Sequence, residues 1–229
     1  MKAHKHISTW FFVGAIIVLV GVGIGLFEYQ QQLTRTQAQS TQVDKQKQAE
    51  IKFKQQTALN YTTFTQSEHK KAKKLEISII GDSITKGAEK AYQQIFPQAI
   101  IRAKVNRQVA AAPAIIDDLK SSNQLANTVL IGLGTNGPIT DSMMAGIMGQ
   151  LGDNRQVYWV NTHVPSKNWE ASVNQELTTA AQQYPNLTII DWHDYCEGQT
   201  NWFYDDNIHP NKLGRSNLVQ LVAKTILAE

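Results

Sequence analysis

The chain has 229 residues, of which 42% are hydrophobic and 18% are charged, a composition that allows one sizeable folded domain or two small ones. Residues 1–74 hold 11 Lys and Arg against 4 Asp and Glu, which leaves 11 against 15 for residues 75–229. This slightly acidic second part disfavours nucleic-acid binding. Cys196 is the only cysteine, which excludes an intrachain disulfide and is more typical of a packed side chain than of a reactive thiol.

Residues 10–27 form an uncharged, apolar run of 18 residues, long enough to span the hydrocarbon core of a membrane. Lysines precede this run and Glu28 follows it, so the positive-inside rule predicts a cytoplasmic N-terminus and an extracellular remainder. The alternative is a cleaved signal peptide ending near Gly23-Ile24-Gly25, although its apolar core usually has only about 7–15 residues. We therefore expect residues 1–28 to be a signal anchor in the cytoplasmic membrane, with secretion after cleavage as the alternative.

Residues 29–74 are polar, with eleven Gln, many Thr and Lys, and neither Pro nor Gly. This composition predicts a stalk between the membrane and a folded domain, and it leaves a helical and a disordered stalk equally open. The basic residues of the stalk would lie beside the membrane, where they can bind anionic lipid or wall polymer, or simply remain solvated.

From Leu75 onward, strand-like and helix-like segments alternate. This alternation predicts one domain over residues 75–229, in which a five-stranded parallel sheet carries helices on both faces. In such sheets the functional side chains gather at the carboxyl ends of the strands. The predicted strands are 75–80, 99–105, 127–133, 156–163 and 186–192, and the predicted helices are 84–96, 111–124, 139–151, 168–183 and 211–227.

The two ends of this domain carry residues with the chemistry of serine-based acyl transfer. Ser83, in Gly81-Asp82-Ser83, follows the first strand and begins a helix, where backbone N–H groups favour negative charge; a helix N-cap is the structural alternative. Asp206 and His209 lie three residues apart, so the carboxylate can orient the imidazole and leave its second nitrogen for the Ser83 hydroxyl. Asp205 is the rival carboxylate.

Two further features bear on the chemistry of the site. Asn136 lies in the turn 132–137 after the third strand and can donate its side-chain N–H to an oxyanion. His193-Asp194 could belong to a metal site, but no third ligand has a suitable spacing, so we interpret the pair as a surface turn. We expect neither a metal nor a cofactor.

Gly81-Asp82-Ser83, Asn136 after Gly134, and Asp206-x-x-His209 together resemble the signature blocks of the SGNH (GDSL-type) hydrolase family. The resemblance covers residues 75–229 and implies a flavodoxin-like three-layer α/β/α sandwich. It implies that Ser83 is the nucleophile, His209 the base and Asp206 the orienting acid. It also implies an oxyanion hole formed by the Ser83 backbone N–H and the Asn136 side chain.

One block departs from the family pattern. The turn 104–108 has Asn106 where the family has a Gly whose backbone N–H completes the oxyanion hole. Asn tolerates a positive φ better than most residues, so the backbone can keep the same shape. We therefore expect the main chain of Asn106 to be the third oxyanion donor, with an ordinary loop residue as the alternative.

A narrower resemblance is to the extracellular domains of Gram-positive peptidoglycan O-acetyltransferases. It rests on the segments 103–108 and 160–165, on Trp169-Glu170 and on Asn174. In those proteins a multi-spanning membrane module delivers the acetyl group, whereas this chain has one predicted span. The resemblance therefore implies either a separate membrane protein as acetyl donor or an enzyme that removes acyl groups. Trp169 and Asn174 are candidate substrate contacts, with helix packing and a helix-surface position as their respective alternatives.

The predicted function is O-acetyl transfer to cell-wall glycan (peptidoglycan) by a membrane-tethered extracellular enzyme that forms an acyl-enzyme. A carbohydrate O-acetylesterase or a general surface esterase is the enzymatic alternative. A catalytically inactive wall-binding module is the alternative from another class, which the intact set of Ser83, Asp206 and His209 disfavours.

Overall fold

A computed structural model describes residues 28–45, 47 and 64–228 of the chain. The predicted membrane span, residues 10–27, lies outside these described residues. Within the ranges that are described, none of the helices combines the length and the apolar character needed to cross a membrane.

The chain divides into two compact units, Met1–Gln56 and Thr57–Glu229. In the first unit, residues 28–45 form a helix, α1, and its side chains are exposed to solvent. The composition of the predicted stalk allowed either a helix or a disordered chain. This part of the predicted stalk is helical.

The second unit is built on a parallel sheet of five strands in the order β2-β1-β3-β4-β5. Because the chain places β2 on one side of β1 and β3 on the other, the topological switch point lies beside β1, where ligands bind in such sheets. The registers pair Gly81 at the end of β1 with Ala103 and with Gly132. The strands are β1 (Ile77–Gly81), β2 (Ala99–Ala103), β3 (Thr128–Gly132), β4 (Gln156–Val160) and β5 (Leu187–Ile190).

Helices cover both faces of the sheet, and the side chains of β1 show how the core divides. Ile77 and Ile79 belong to an apolar cluster with α2, α3, α7 and α8, whereas Ile80 belongs to a second cluster with α4, α5 and α6. The predicted three-layer α/β/α sandwich with a five-stranded parallel sheet is therefore confirmed. The helices are α2 (Gln66–Lys74), α3 (Ser83–Ile95), α4 (Ala112–Ser121), α5 (Asp141–Leu151), α6 (Glu170–Gln183), α7 (Trp192–Tyr195) and α8 (Lys212–Leu227).

Helix α2 lies within the segment predicted as stalk, yet it packs on the folded unit. Thr65 caps the helix and forms a reciprocal capping box with Glu68. The carboxylate of Glu68 also accepts a hydrogen bond from Lys224 Nζ in α8 at 3.0 Å, and Ala72 is buried in the core. The packed unit thus extends upstream of residue 75, the predicted start of the domain.

Candidate active site

The Gly81-Asp82-Ser83 segment connects β1 to α3 through a tight turn. A Cβ on Gly81 would lie 2.0 Å from Thr85 Oγ1, so a residue without a side chain is needed for the helix to sit this close to the strand. The buried side chain of Asp82 caps α3 by accepting a hydrogen bond from the Ile84 N–H at 2.9 Å. Ser83 is therefore the first helical residue, at a helix end whose first N–H groups have no intrahelical partner.

The Asp206-to-His209 segment forms a turn that is fixed by its own backbone. Asp206 Oδ1 accepts hydrogen bonds from the N–H groups of Ile208 at 3.0 Å and His209 at 2.9 Å, and Asn207 has a φ of +54°. The His209 carbonyl accepts from the Tyr204 N–H at 3.0 Å, which closes the turn. This local network fixes the backbone from which the imidazole projects.

The structure joins Ser83, His209 and Asp206 in one hydrogen-bonded chain. Asp206 Oδ2 lies 2.6 Å from His209 Nδ1, and His209 Nε2 lies 3.0 Å from Ser83 Oγ. Burial raises the pKa of Asp206, but hydrogen bonds from the His209 and Ile208 N–H groups and from the His209 ring outweigh it and hold the pKa below its ordinary value. An ionised Asp206 can therefore keep the proton on Nδ1 and leave Nε2 to accept one from Ser83.

The three predicted oxyanion donors follow β1, β2 and β3, the strands that meet at the switch point. Asn106 has a φ of +59°, the left-handed conformation that the sequence predicts at this position. Asn136 Nδ2 lies 3.1 Å from the Arg107 carbonyl oxygen and 3.4 Å from Asp82 Oδ2. The Asn136 amide is therefore anchored to the turn after β2 and to the residue that precedes Ser83.

Arg107 supports the site, a role that sequence reasoning missed. Its guanidinium donates hydrogen bonds to the carbonyl of Gly81 at 3.0 Å and to the carbonyl of Arg102. The side chain thus ties the turn that carries Asn106 to the end of β1. The available signals were a basic residue directly after a predicted positive-φ position and its place in the segment 103–108 that resembles the O-acetyltransferases, and neither specifies these partners.

Asp82 lies behind Ser83 and is buried. Burial raises its pKa to about 6, although hydrogen bonds from the Ile84 N–H and from Thr135, together with the charge of His209, act in the opposite direction. Asp82 also lines a cavity at this edge of the sheet, along with Thr135, Thr162, His163 and Ile208. The cavity therefore joins the end of β1 to the loop that follows β4.

The two predicted substrate contacts, Trp169 and Asn174, make contacts with the β4–α6 loop. Asn174 Oδ1 accepts hydrogen bonds from Thr162 N at 2.9 Å and Thr162 Oγ1 at 3.0 Å, and Asn174 Nδ2 donates to the Thr162 carbonyl at 2.9 Å. Trp169 is half-buried against the second apolar cluster, with Lys167 Nζ 5.7 Å from the centre of its ring. These contacts favour packing and loop positioning, and substrate binding by either residue stays a prediction.

The structure also places candidate ligands next to His193, for which the sequence offered no third ligand at a suitable spacing. His163 from the loop after β4 and Glu170 from the first turn of α6 approach His193 in α7, with one ligand atom from each within 4.8 Å of the others. The partners are 30 and 23 positions away in sequence, so no short spacing pattern connects them.

The chain matches no protein-family model. Over 147 residues it is 32% identical to the peptidoglycan O-acetyltransferase OatA of Listeria monocytogenes, an alignment that covers 64% of this chain and 23% of that protein. The chain spans about a quarter of the length of the curated relatives it matches.

Solved structures show that the similarity extends to the fold. The C-terminal catalytic domain of Streptococcus pneumoniae OatA, with a methylsulfonyl adduct, superposes with a TM-score of 0.57 at 24% identity, over 66% of this chain and 90% of that domain. A carbohydrate esterase family 3 protein from Talaromyces cellulolyticus gives a TM-score of 0.51 at 14% identity, over 66% of this chain and 96% of that protein. The predicted resemblance to peptidoglycan O-acetyltransferases is confirmed by the sequence similarity, and the solved structures show the same fold.

Proposed function

We propose that this chain is a serine O-acetyltransferase that modifies cell-wall glycan from the outer face of a membrane. The observation that carries the proposal is the hydrogen-bonded chain from Ser83 Oγ through His209 to Asp206, which lies beside the switch point of the sheet. The sequence similarity to the Listeria monocytogenes peptidoglycan O-acetyltransferase supports acetyl as the group and cell-wall glycan as the substrate.

In the first half-reaction, Ser83 Oγ attacks the carbonyl carbon of an acetyl ester while His209 Nε2 accepts the hydroxyl proton. The carbonyl electron pair moves to oxygen, and its return expels the donor alkoxide, which takes the proton from His209. Asp206 accepts the Nδ1–H hydrogen bond throughout and stabilises the imidazolium that forms. The product of this half-reaction is an acetyl ester on Ser83.

The tetrahedral intermediate needs hydrogen-bond donors for its oxyanion. We assign this role to the backbone N–H groups of Ser83 and Asn106 and to the side-chain amide of Asn136. The start of α3 supplies a partial positive charge to the same place. Loss of one such donor typically lowers kcat by about 10²–10³-fold. The oxyanion hole therefore contributes to the rate in addition to the triad.

In the second half-reaction, a glycan hydroxyl attacks the acetyl ester, gives its proton to His209, and Ser83 recovers that proton as it leaves. Water can take the place of the sugar hydroxyl, since the side chains of His209 and Asp206 are 42% and 46% exposed. That exposure favours a carbohydrate O-acetylesterase as the second candidate. An exposed triad also suits a polymeric acceptor, which cannot enter a deep pocket.

The proposal includes a membrane tether through residues 10–27 and a separate membrane protein as acetyl donor. The uncharged run and the flanking charges of the sequence support the tether. The similarity to OatA covers 23% of that protein, so it supports the transfer of acetyl but not the identity of the acetyl donor. Topology can be tested by protease protection of the catalytic unit in sealed vesicles.

The test of the function uses the full chain in detergent with an activated acetyl ester, with and without a chito-oligosaccharide, and mass spectrometry of the products. Acetylated sugar formed by the wild type and absent with Ser83→Ala is the expected result. Free acetate that is unaffected by the sugar would identify an esterase. A covalent serine probe that labels wild type and Ser83→Ala equally would exclude both enzymes and favour a wall-binding module.

A further inference from the structure

A second cluster of ionisable side chains lies at the same edge of the sheet as Ser83. His163 follows β4, His193 lies in the short helix after β5, and Glu170 begins α6. One ligand atom from each residue lies within 4.8 Å of the other two. Two imidazoles and a carboxylate from three separate elements thus converge on one point.

The backbone holds Glu170 and His193 in place. One carboxylate oxygen of Glu170, Oε2, accepts a hydrogen bond from the Val164 N–H, which leaves Oε1 facing His193 Nδ1 at 3.7 Å. The His193 N–H donates to Asn161 Oδ1 at 2.8 Å. Glu170 is therefore positioned by a contact that leaves Oε1 unoccupied, and its side chain is only 17% exposed.

His163 supplies a buried nitrogen that is free to bind. Among the described residues, its Nδ1 is a buried side-chain nitrogen with no hydrogen-bond partner. Its ring packs on Phe203, with the ring centres 4.9 Å apart. An unpartnered buried nitrogen is costly unless it receives a ligand.

The observed geometry of His193 fits the tautomer with the proton on Nδ1. With the proton on Nδ1, the ring can donate to the Thr162 carbonyl at 3.2 Å. Asp194 Oδ1 lies 4.0 Å from Nε2, beyond hydrogen-bond distance, so the other tautomer requires a rotation that moves Nδ1 away from the Thr162 carbonyl and brings Nε2 closer to Asp194. After such a rotation, Asp194 could act as the outer carboxylate that fixes the tautomer of a metal-bound imidazole.

We propose that His163, Glu170 and His193 form a Zn²⁺ site, with Asp194 as the outer carboxylate. Two imidazole nitrogens and one carboxylate are a ligand set typical of zinc, whereas Mg²⁺ and Ca²⁺ prefer oxygen ligands alone. Zinc bond lengths of about 2.1 Å place tetrahedral ligand atoms about 3.4 Å apart, which small side-chain rotations can reach from the observed spacing. Three protein ligands leave a fourth position open.

Bound zinc would join the β4–α6 loop, α6 and α7. That loop carries Thr162 and His163, which line the cavity shared with Asp82 at the end of β1. The metal would therefore fix one wall of this cavity through His163. This inference does not depend on the proposed acyl transfer, and it can be tested in a Ser83→Ala background.

The test measures Zn²⁺ binding to the full chain in detergent, stripped of metal, by competition with a chromophoric chelator. His4 and His6 are replaced by Ala in every sample, because these N-terminal histidines could bind zinc independently. One tightly bound zinc per chain is expected. Replacement of zinc by Co²⁺ should give the visible absorption bands of a four-coordinate site, a readout independent of activity.

The variants His163→Ala, His193→Ala and Glu170→Gln should each weaken zinc binding by at least about tenfold, and Asp194→Asn by about tenfold. Glu170→Gln keeps an oxygen for the Val164 N–H, so it tests the ligand charge without removing that contact. His69→Ala and His209→Ala are the matched controls and should bind zinc as the parent does. No tight zinc in the parent chain, or equal affinity in Glu170→Gln and the controls, would overturn the proposal.

Discussion

Two histidine-centred sites lie at the carboxyl edge of the sheet, and they differ in how the chain assembles them. In the first, His209 meets Asp206 three residues away within one turn, and only Ser83 comes from far along the chain. In the second, His163, Glu170 and His193 come from three elements. Similar pairings of imidazole and carboxylate therefore arise from a local motif in one case and from tertiary packing in the other.

The exposure of the two carboxylates differs as well. The Asp206 side chain is 46% exposed, whereas the Glu170 side chain is 17% exposed. A solvent-open site suits a reaction with a large external substrate, while a drier carboxylate next to two imidazoles suits a cation that stays bound. Location at the catalytic edge therefore does not by itself assign a histidine to catalysis.

The largest expected effect separates the two sites directly. His209→Ala should lower kcat for hydrolysis of an activated acetyl ester by about 10⁶-fold, since the general base is lost. The same variant should keep the affinity of the parent chain for zinc. His69→Ala, in the distant helix α2, is the control and should keep full activity. A His209→Ala variant that retains more than about a hundredth of the activity would remove His209 from the proposed mechanism.

The next effect tests the carboxylate of the first site. Asp206→Asn should lower kcat by about 10⁴-fold, because an amide cannot hold the Nδ1–H tautomer or stabilise the imidazolium. Asp205→Asn, one position earlier in the same turn, is the matched control and should change kcat by less than a few fold. The rate of acetate release gives kcat for both variants. Equal losses of kcat in Asp206→Asn and Asp205→Asn would contradict the assignment of Asp206.

A smaller effect is expected from Asn136, and it contrasts with that of Asn174. Asn136→Ala should lower kcat by about 10²–10³-fold through loss of one oxyanion donor. Asn174→Ala removes three hydrogen bonds to Thr162, so it should lower the free energy of unfolding by about 1–3 kcal/mol and affect kcat much less. Kinetics and denaturant unfolding of both variants make the comparison. A purely structural Asn136 would show the Asn174 pattern.

The smallest effect concerns the pH dependence of stability. Burial raises the pKa of Asp82 from 3.8 to about 6, so between these values the folded protein holds a proton that the unfolded chain releases. The stabilisation from this proton is fully present below about pH 4 and is lost as the pH rises through 6, a change of up to about 3 kcal/mol. The difference in unfolding free energy between wild type and Asp82→Asn should fall accordingly from pH 4 to 7. A difference that does not vary with pH would exclude this account.

The sequence by itself determined the five strands and the five longer helices of the domain, but not the short helices α2 and α7, and it proposed the residues of the first site. Alternating apolar segments gave the five strands, because burial on both faces of a parallel sheet requires continuous apolar runs. The spacing of Asp206 and His209 and the positive φ at Asn106 are properties of a few neighbouring residues, and they are readable for that reason. The catalytic roles of these residues stay predictions until the variants are measured.

Only the tertiary structure decided which distant groups meet. The contact of Glu68 with Lys224, the hydrogen bonds of Arg107 to the ends of β1 and β2, and the convergence of His163, Glu170 and His193 depend on strand order and helix packing. The raised pKa of Asp82 likewise depends on burial by residues that follow other strands. Short-range patterns record what one segment does alone, whereas through-space contacts and desolvation exist only after the segments have packed together.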